Sequence, residues 1–425
     1  MNRFVRTFGA AFLMALIFSS SAFALKSSGG GSDAAGGTGE LDKDAEFSGL
    51  FSEGLSLGSI GKFAEAEKVI TKAIAIRPRD AKARLLRASC YMELERYKDA
   101  IADFDVYLEL VPEDAKAYGR RGAARLSLND SAGAENDFNK VVELEPGNAG
   151  IKVMRGMARL LLNKREAAKK DFDDVEAAAP GNPGSALGMG LYYLSKREYE
   201  KAVLSYGAFI AKMPDSAAGY ISRASALSKL KRHDEALKDV NRAVELEPSK
   251  ASSYTARASA YLAMKKYKEA GTDIDKAVDL EPDSMETSFA VLSYNLRLKK
   301  YAKAVKAAKK AVSVKPGEAI THLALSETFV FVGEYREALE LAKKGKTMAT
   351  DDDIRAIAVY LECVSLKLLG QDVSACDAEF GELMKKEVFA PWDGEAFVDW
   401  ARDAGLPEDV RKYLIDKTVV LDPDK

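Results

Sequence analysis

The chain has 425 residues, a formal net charge of −2 and a hydrophobic share of 47%. Its length allows two or three ordinary domains, and its composition is that of a water-soluble protein. The balance of 63 basic against 65 acidic residues gives the chain as a whole no electrostatic case for binding nucleic acid or an anionic membrane.

The first 24 residues have the pattern of a secretory signal peptide. Arg3 and Arg6 precede an apolar run at 8–18, and Ala-Phe-Ala at 22–24 supplies a small-x-small cleavage site. The apolar run is short for a bilayer span, and an uncleaved anchor is the alternative. We therefore predict export, cleavage before Leu25 and a periplasmic location, with secretion from the cell as the alternative and no membrane span after cleavage.

A glycine-rich segment follows the signal. Six glycines lie between Gly29 and Gly39, a composition typical of a flexible linker. We predict a linker over residues 25–46, with folded structure starting between Asp44 and Leu50.

Prolines then recur every 34 residues, which indicates an internal repeat. The eight prolines stand at Pro78, Pro112, Pro146, Pro180, Pro214, Pro248, Pro282 and Pro316. An alanine stands twelve residues before each of these positions and before the next one in register: Ala66, Ala100, Ala134, Ala168, Ala202, Ala236, Ala270, Ala304 and Ala338. Nine matches out of nine exclude a chance spacing of prolines alone.

Each 34-residue unit predicts two antiparallel helices. In unit 217–250 the expected helices run from Ala218 to Leu230 and from Asp234 to Leu246, and Pro248 prevents further extension. The eighth position of most units is small, facing the alanine at the twentieth: Gly54, Ala88, Gly122, Gly156, Gly190, Ala224 and Ala258. Large residues fill the twenty-fourth position: Phe104, Phe138, Phe172, Tyr206, Val240 and Ile274.

The period, the small–alanine–proline skeleton and the tyrosines at positions four and eleven resemble the tetratricopeptide repeat family. The resemblance covers nine units: 47–80, 81–114, 115–148, 149–182, 183–216, 217–250, 251–284, 285–318 and 319–352. It implies an all-α, right-handed superhelical solenoid. A degenerate helical pair at 353–386 and capping helices at 387–425 complete the prediction.

Two short helices, about Asp393–Ala404 and Pro407–Leu421, are expected within the last segment. Both tryptophans, Trp392 and Trp400, lie there. The segment is interpreted as a cap over the last repeat, and a docking site for a partner is the alternative.

Arginine at position seven and aspartate at position twenty-three occur together in five units and are both missing from the other four. The pairs are Arg87 and Asp103, Arg121 and Asp137, Arg155 and Asp171, Arg223 and Asp239, and Arg257 and Asp273. Both positions lie midway along antiparallel helices, so we predict structural salt bridges inside each unit.

Catalytic, metal and cofactor sites are not indicated by the sequence. His233 is expected in a turn and His322 at the start of a helix, 89 residues apart, so they form no predicted cluster. Cys363 and Cys376 flank a predicted turn between two helices. In an oxidising compartment outside the cytoplasm, such a pair can form a disulfide. A disulfide and two buried thiols both remain open, and Cys90 has no evident partner.

In the tetratricopeptide repeat family, the first helices line a concave groove that binds partners. The groove positions here are mainly apolar or serine, and the set taken as a candidate partner site is Met92, Val153, Met157, Leu187, Leu191, Ile221, Ser225, Thr255, Ser259, Phe289, Ser293 and Leu323. Such a groove suits a peptide with apolar anchors. Packing between neighbouring units, or self-association, is the alternative.

These features predict a non-enzymatic exported scaffold that binds a protein or peptide partner in the cell envelope. A solenoid scaffold in exopolysaccharide export or envelope assembly is the alternative, although aliphatic and serine residues suit sugars less well than aromatic ones. An enzyme subunit is disfavoured by the lack of catalytic motifs.

Overall fold

The computed structural model describes residues 38–386 and 394–421, in which every regular element is an α-helix. The predicted signal peptide, Trp392 and Asp393 lie outside these residues. The described chain divides into two compact units, 2–188 and 189–425. Among the described residues, no helix is both long and apolar enough to cross a bilayer.

Helix hairpins form the 2–188 unit. Its helices are α1 Thr38–Ser59, α2 Phe63–Ile76, α3 Ala81–Glu93, α4 Tyr97–Leu110, α5 Ala115–Ser127, α6 Ser131–Leu144, α7 Ala149–Leu161 and α8 Arg165–Ala178. The next helix, α9 at Pro183–Ser195, contains the boundary between the two units.

The 189–425 unit continues the same hairpins. Its repeat helices are α10 Tyr199–Lys212, α11 Ala217–Lys229, α12 His233–Leu246, α13 Ala251–Ala263, α14 Tyr267–Leu280, α15 Met285–Arg297, α16 Tyr301–Val314, α17 Ala319–Phe331 and α18 Tyr335–Met348. The last four helices are α19 Asp352–Leu368, α20 Ser374–Met384, α21 Glu395–Asp403 and α22 Glu408–Leu421. The fold is an all-α helical repeat solenoid.

Close approach of paired helices depends on the small residue at position eight. A Cβ atom added to Gly156 would lie 2.4 Å from Cε1 of Phe172, and one added to Gly190 would lie 2.4 Å from Cε1 of Tyr206. The aromatic rings therefore occupy the space that the missing side chains leave. Phe172 and Tyr206 are fully buried, so this contact forms the centre of these two hairpins.

Every turn between the two helices of a repeat contains one residue in the left-handed region, always at position fifteen. Its φ ranges from 56° at Glu95 to 85° at Gly333. The next amide then closes the end of the first helix, as when Arg96 N–H donates to the Tyr91 carbonyl at 2.8 Å. This repeated C-cap keeps each turn to three residues.

The linker prediction was wrong at its end. Helix α1 begins at Thr38, inside the segment 25–46 that was predicted to be flexible. The residues after Gly39 are mostly good helix formers, and Phe47, in the same helix, is 6% exposed. Burial of Phe47 holds the helix on α2, which allows it to extend toward the glycine-rich segment.

Candidate functional site

The arginine and aspartate of all five predicted pairs lie together. In unit 217–250, Nε and Nη2 of Arg223 each lie 2.7 Å from an oxygen of Asp239. The shortest nitrogen–oxygen distances in the others are 2.6–2.7 Å, for Arg87 to Asp103, Arg121 to Asp137, Arg155 to Asp171 and Arg257 to Asp273. Each aspartate is at most 6% exposed, so the forked pair stabilises a buried carboxylate.

The same arginines also reach the preceding repeat, a contact that the sequence reasoning missed. Nη1 of Arg121 donates to Asp105 at 2.7 Å and Nη1 of Arg257 to Asn241 at 3.2 Å. The acceptor stands at position twenty-five of the preceding unit, where Arg87 and Arg155 find Thr71 and Asn139. A polar residue sixteen positions before the arginine was the available sequence signal. Each of these four arginines therefore links two repeats.

A second arginine joins the aspartate in three repeats of the 2–188 unit. Arg84, Arg125 and Arg159 lie 2.7–2.8 Å from Asp103, Asp137 and Asp171. Among the contacts described for Asp239 and Asp273, one arginine binds each. The braces are therefore denser in the 2–188 unit.

A buried glutamate extends this network between repeats. Glu135 is 7% exposed and accepts hydrogen bonds from Arg159 at 3.0 Å and Lys164 at 2.6 Å. Burial acts to raise the pKa of Glu135, but the two bonds outweigh it and hold that pKa below its ordinary value. Glu135 is therefore a charged structural contact rather than a proton donor for chemistry.

Position four, where the resemblance rests on tyrosine, fixes the link between repeats. The hydroxyl groups of Tyr220 and Tyr254 donate to the carbonyls of Pro214 and Pro248 at 3.2 and 3.0 Å. In unit 81–114 an arginine substitutes, and Nη2 of Arg84 donates to the Pro78 carbonyl at 2.7 Å. These residues have a structural role.

Most of the predicted groove residues are not accessible. Seven of the twelve are at most 6% exposed: Val153, Met157, Leu187, Leu191, Ile221, Thr255 and Leu323. Adjacent helices cover them. A Cβ atom added to Gly184 in the next repeat would lie 3.1 Å from Cγ2 of Val153, and one added to Gly345 would meet the side chain of Leu323. The apolar stripe is therefore packing between neighbours at these positions.

The accessible remainder is a hydroxyl-lined face in the 189–425 unit. Ser225 and Ser259 are exposed, and Phe289 and Ser293 are partly exposed; we call these four residues the serine face. Oγ of Ser259 donates to the Thr255 carbonyl at 2.9 Å, so its hydrogen is used within the helix and the oxygen can still accept. Met92, the twelfth residue, is partly exposed in the other unit.

The histidines occupy helices rather than a site. His233 is the first residue of α12, not a turn residue, and His322 is the fourth residue of α17. His322 is 1% exposed, with Nδ1 lying 3.2 Å from Oγ1 of Thr321. Burial, assisted by Lys344, lowers the pKa of His322, so the ring is neutral in the folded chain.

Cys363 and Cys376 form a disulfide between α19 and α20, with Cα atoms 5.6 Å apart. Asp377 lies beside them, and in the described part of the chain these three residues form the one group whose potential ligand atoms all lie within 4.8 Å of one another. Asp377 instead accepts a hydrogen bond from Tyr413 at 2.7 Å and forms an ion pair with Lys417 at 2.7 Å. The disulfide uses both sulfur atoms, and both contacts of Asp377 involve Oδ1, so the group is explained by packing within the fold.

The C-terminal helices pack as a cap. Trp400 is 7% exposed and Phe397 is fully buried, and both rings contact Phe331 at centroid distances of 5.5 and 5.7 Å. In α22, Thr418 hydrogen-bonds Tyr360 at 2.7 Å. Trp400 is therefore committed to packing within the chain.

Family models agree with the repeat assignment. Two models of the tetratricopeptide repeat match residues 51–115 and 115–148, and the model of the Psidin N-terminal tetratricopeptide repeat region matches residues 191–324. No curated protein matches the chain.

Solved structures share the fold. A tetratricopeptide repeat protein from Parabacteroides merdae ATCC 43184 superposes with a TM-score of 0.52 at 17% identity, over 58% of this chain and 97% of its own. Yeast Tom70 gives a TM-score of 0.45 at 16% identity, over 89% and 91% of the two chains. At such identities the likeness concerns the fold alone.

Proposed function

We propose that this chain, which contains tetratricopeptide repeats, is a non-enzymatic scaffold that acts outside the cytoplasm and binds a protein partner on its serine face. Proteins of this repeat family are in general non-catalytic scaffolds. The observation that carries the proposal is the serine face itself, an accessible stretch on first helices whose other predicted groove residues in the 189–425 unit are buried.

The chemistry of the serine face favours an extended peptide. Exposed serine oxygens accept hydrogen bonds from backbone N–H groups, and the partly exposed ring of Phe289 offers one apolar contact. The buried Arg223–Asp239 and Arg257–Asp273 braces lie in two of the helix pairs that present this face. A rigid frame reduces the ordering cost that binding would otherwise incur.

The predicted signal peptide is the basis for placing the partner outside the cytoplasm. The proposal rests on the arginine-flanked apolar run at 8–18 and the small-x-small sequence at 22–24. A role in polysaccharide export is less favoured, because the serine face contains one aromatic residue, Phe289, on which a sugar ring could stack.

Photo-crosslinking in cells tests the proposal. A photoreactive amino acid replaces Ser225 or Ser259, and in a matched control it replaces Leu204, which is 73% exposed on α10. We expect adducts with one partner from both serine positions and not from Leu204. Adducts only between copies of this chain would replace the partner hypothesis with an oligomeric scaffold.

A further inference from the structure

The near-zero net charge of the whole chain hides one strongly basic hairpin. Unit 285–318 contains eight basic residues and two acidic ones, Glu286 and Glu318, a difference of +6. The 31 residues between those two glutamates contain no acid. The basic residues are Arg297, Lys299, Lys300, Lys303, Lys306, Lys309, Lys310 and Lys315.

The charge is concentrated on one side of α16. Lys303, Lys306, Lys309 and Lys310 are all exposed, and we call them the lysine face. On the opposite side Ala304, Ala308 and Ala311 have no exposed surface. The helix therefore presents ammonium groups to solvent along its length while methyl groups pack inward.

This arrangement is locally unfavourable for the helix. Lys303 lies in the first turn of α16, which contains no acidic residue, although cations there oppose the helix dipole. Lys303, Lys306 and Lys310 are also spaced three and four residues apart, so their charges repel. Most second helices of the repeats instead begin with an acid: Glu65, Asp99, Glu166, Glu200, Glu235, Glu269 and Glu337. A local rule that is broken with only weak compensation among the described residues points to a binding function.

Among the residues that the structure describes, one carboxylate lies within ion-pair distance of the lysine face. Lys310 lies 3.2 Å from Asp283, but the two side chains are 45% and 85% exposed, so the pair contributes little. Lys309 lies over the ring of Phe329 at 5.6 Å. In the next repeat, α18 contains two further exposed lysines, Lys343 and Lys344, and Lys343 lies 3.7 Å from Glu340.

The residue type indicates what binds there. This chain grips carboxylates with arginine forks, as in Arg223–Asp239 and Arg257–Asp273, whereas the exposed face of α16 uses only lysine. Lysine is a point charge on a flexible stem, suited to anions whose positions are not fixed. From Lys303 to Lys310 the face extends about 10 Å along the helix, and lysines spread over that length can each contact a separate anionic group.

We propose that the lysine face binds the anionic phospholipid headgroups of a bilayer surface. Each lysine close to such a surface strengthens binding about fivefold. Clusters of four to eight basic residues are typical of segments that bind anionic lipids. The serine face and the lysine face lie on first and second helices respectively, so the two proposals are independent.

Sedimentation with vesicles tests this inference on the purified chain. We expect binding to vesicles of phosphatidylcholine and phosphatidylglycerol at 7:3, little binding to pure phosphatidylcholine, and release at high salt. Replacing all four lysines of the face by glutamine is expected to weaken binding at least about a hundredfold. Replacing them by arginine, which retains the charge, should preserve it.

The matched control removes the same charge from α14 and its preceding turn, where acids are interspersed: Lys265, Lys266, Lys268 and Lys276 are changed to glutamine. All four are exposed, so both variants should keep the wild-type circular dichroism spectrum. Equal loss of binding in the control, or undiminished binding in the lysine-face variant, would overturn the proposal. Stronger binding to poly-glutamate than to the anionic vesicles would assign the face to an acidic protein instead.

Discussion

Removal of Arg223 should destabilise its repeat far more than removal of Arg121. Asp239 is 6% exposed and loses both of its forked bonds in Arg223→Ala, which leaves a buried carboxylate without its counter-charge. Such losses cost about 3 kcal/mol. In Arg121→Ala, Asp137 keeps Arg125 at 2.8 Å, so we expect about 1 kcal/mol.

Hydrogen exchange of the amides in α12 and α6 measures these changes locally, which is needed because a repeat chain does not unfold in one step. In a cycle of Arg223→Ala, Asp239→Ala and the double variant, the coupling should be about 1–2 kcal/mol. Arg242→Ala is the control, since its pair with Glu245 is 45% and 65% exposed, is screened by solvent and should contribute little to stability. Additive effects of the two substitutions, or equal costs for Arg223 and Arg121, would refute the brace.

Three further outcomes follow from the packing, the disulfide and the buried histidine. Gly156→Val should lower stability by about 1–3 kcal/mol in thermal melts because its Cβ meets Phe172, while Gly147→Ala, with open space around it, should be silent. The unfolded, unreduced chain should accept one thiol label, at Cys90, and the reduced chain should accept three. Loss of the disulfide should lower the free energy of unfolding by at most about 3 kcal/mol. The folded chain holds the pKa of His322 below its ordinary value. As pH drops below about 6.5, the unfolded chain takes up the proton first, so the free energy of unfolding should fall. His322→Gln should flatten that fall in denaturant titrations from pH 7 to 5.

The repeat architecture could be predicted from spacing because one period governs every unit. In unit 217–250 the observed helices are Ala217–Lys229 and His233–Leu246. The predicted boundaries differ from these by one residue at three of the four helix ends. Covariation of arginine and aspartate among units likewise indicated a contact, since only neighbours gain from varying together. The link to Asp105 or Asn241 was missed because the acceptor type changes from unit to unit.

The groove could not be read from the sequence because position within a helix does not give depth. Met157 and Ser259 occupy the same repeat position, yet Met157 is 2% exposed and Ser259 is exposed. The lysine face was missed for a different reason, since the net charge of the whole chain averages a local excess away.

The central claim is that the serine face binds a protein partner, and a binding titration tests it most directly. The partner identified by crosslinking is titrated against the wild-type chain and against the double variant Ser225→Arg/Ser259→Arg. This variant adds bulk and positive charge to the serine face and replaces no buried residue. We predict a loss of at least about tenfold in affinity with an unchanged circular dichroism spectrum. Equal affinity for both chains would contradict the account.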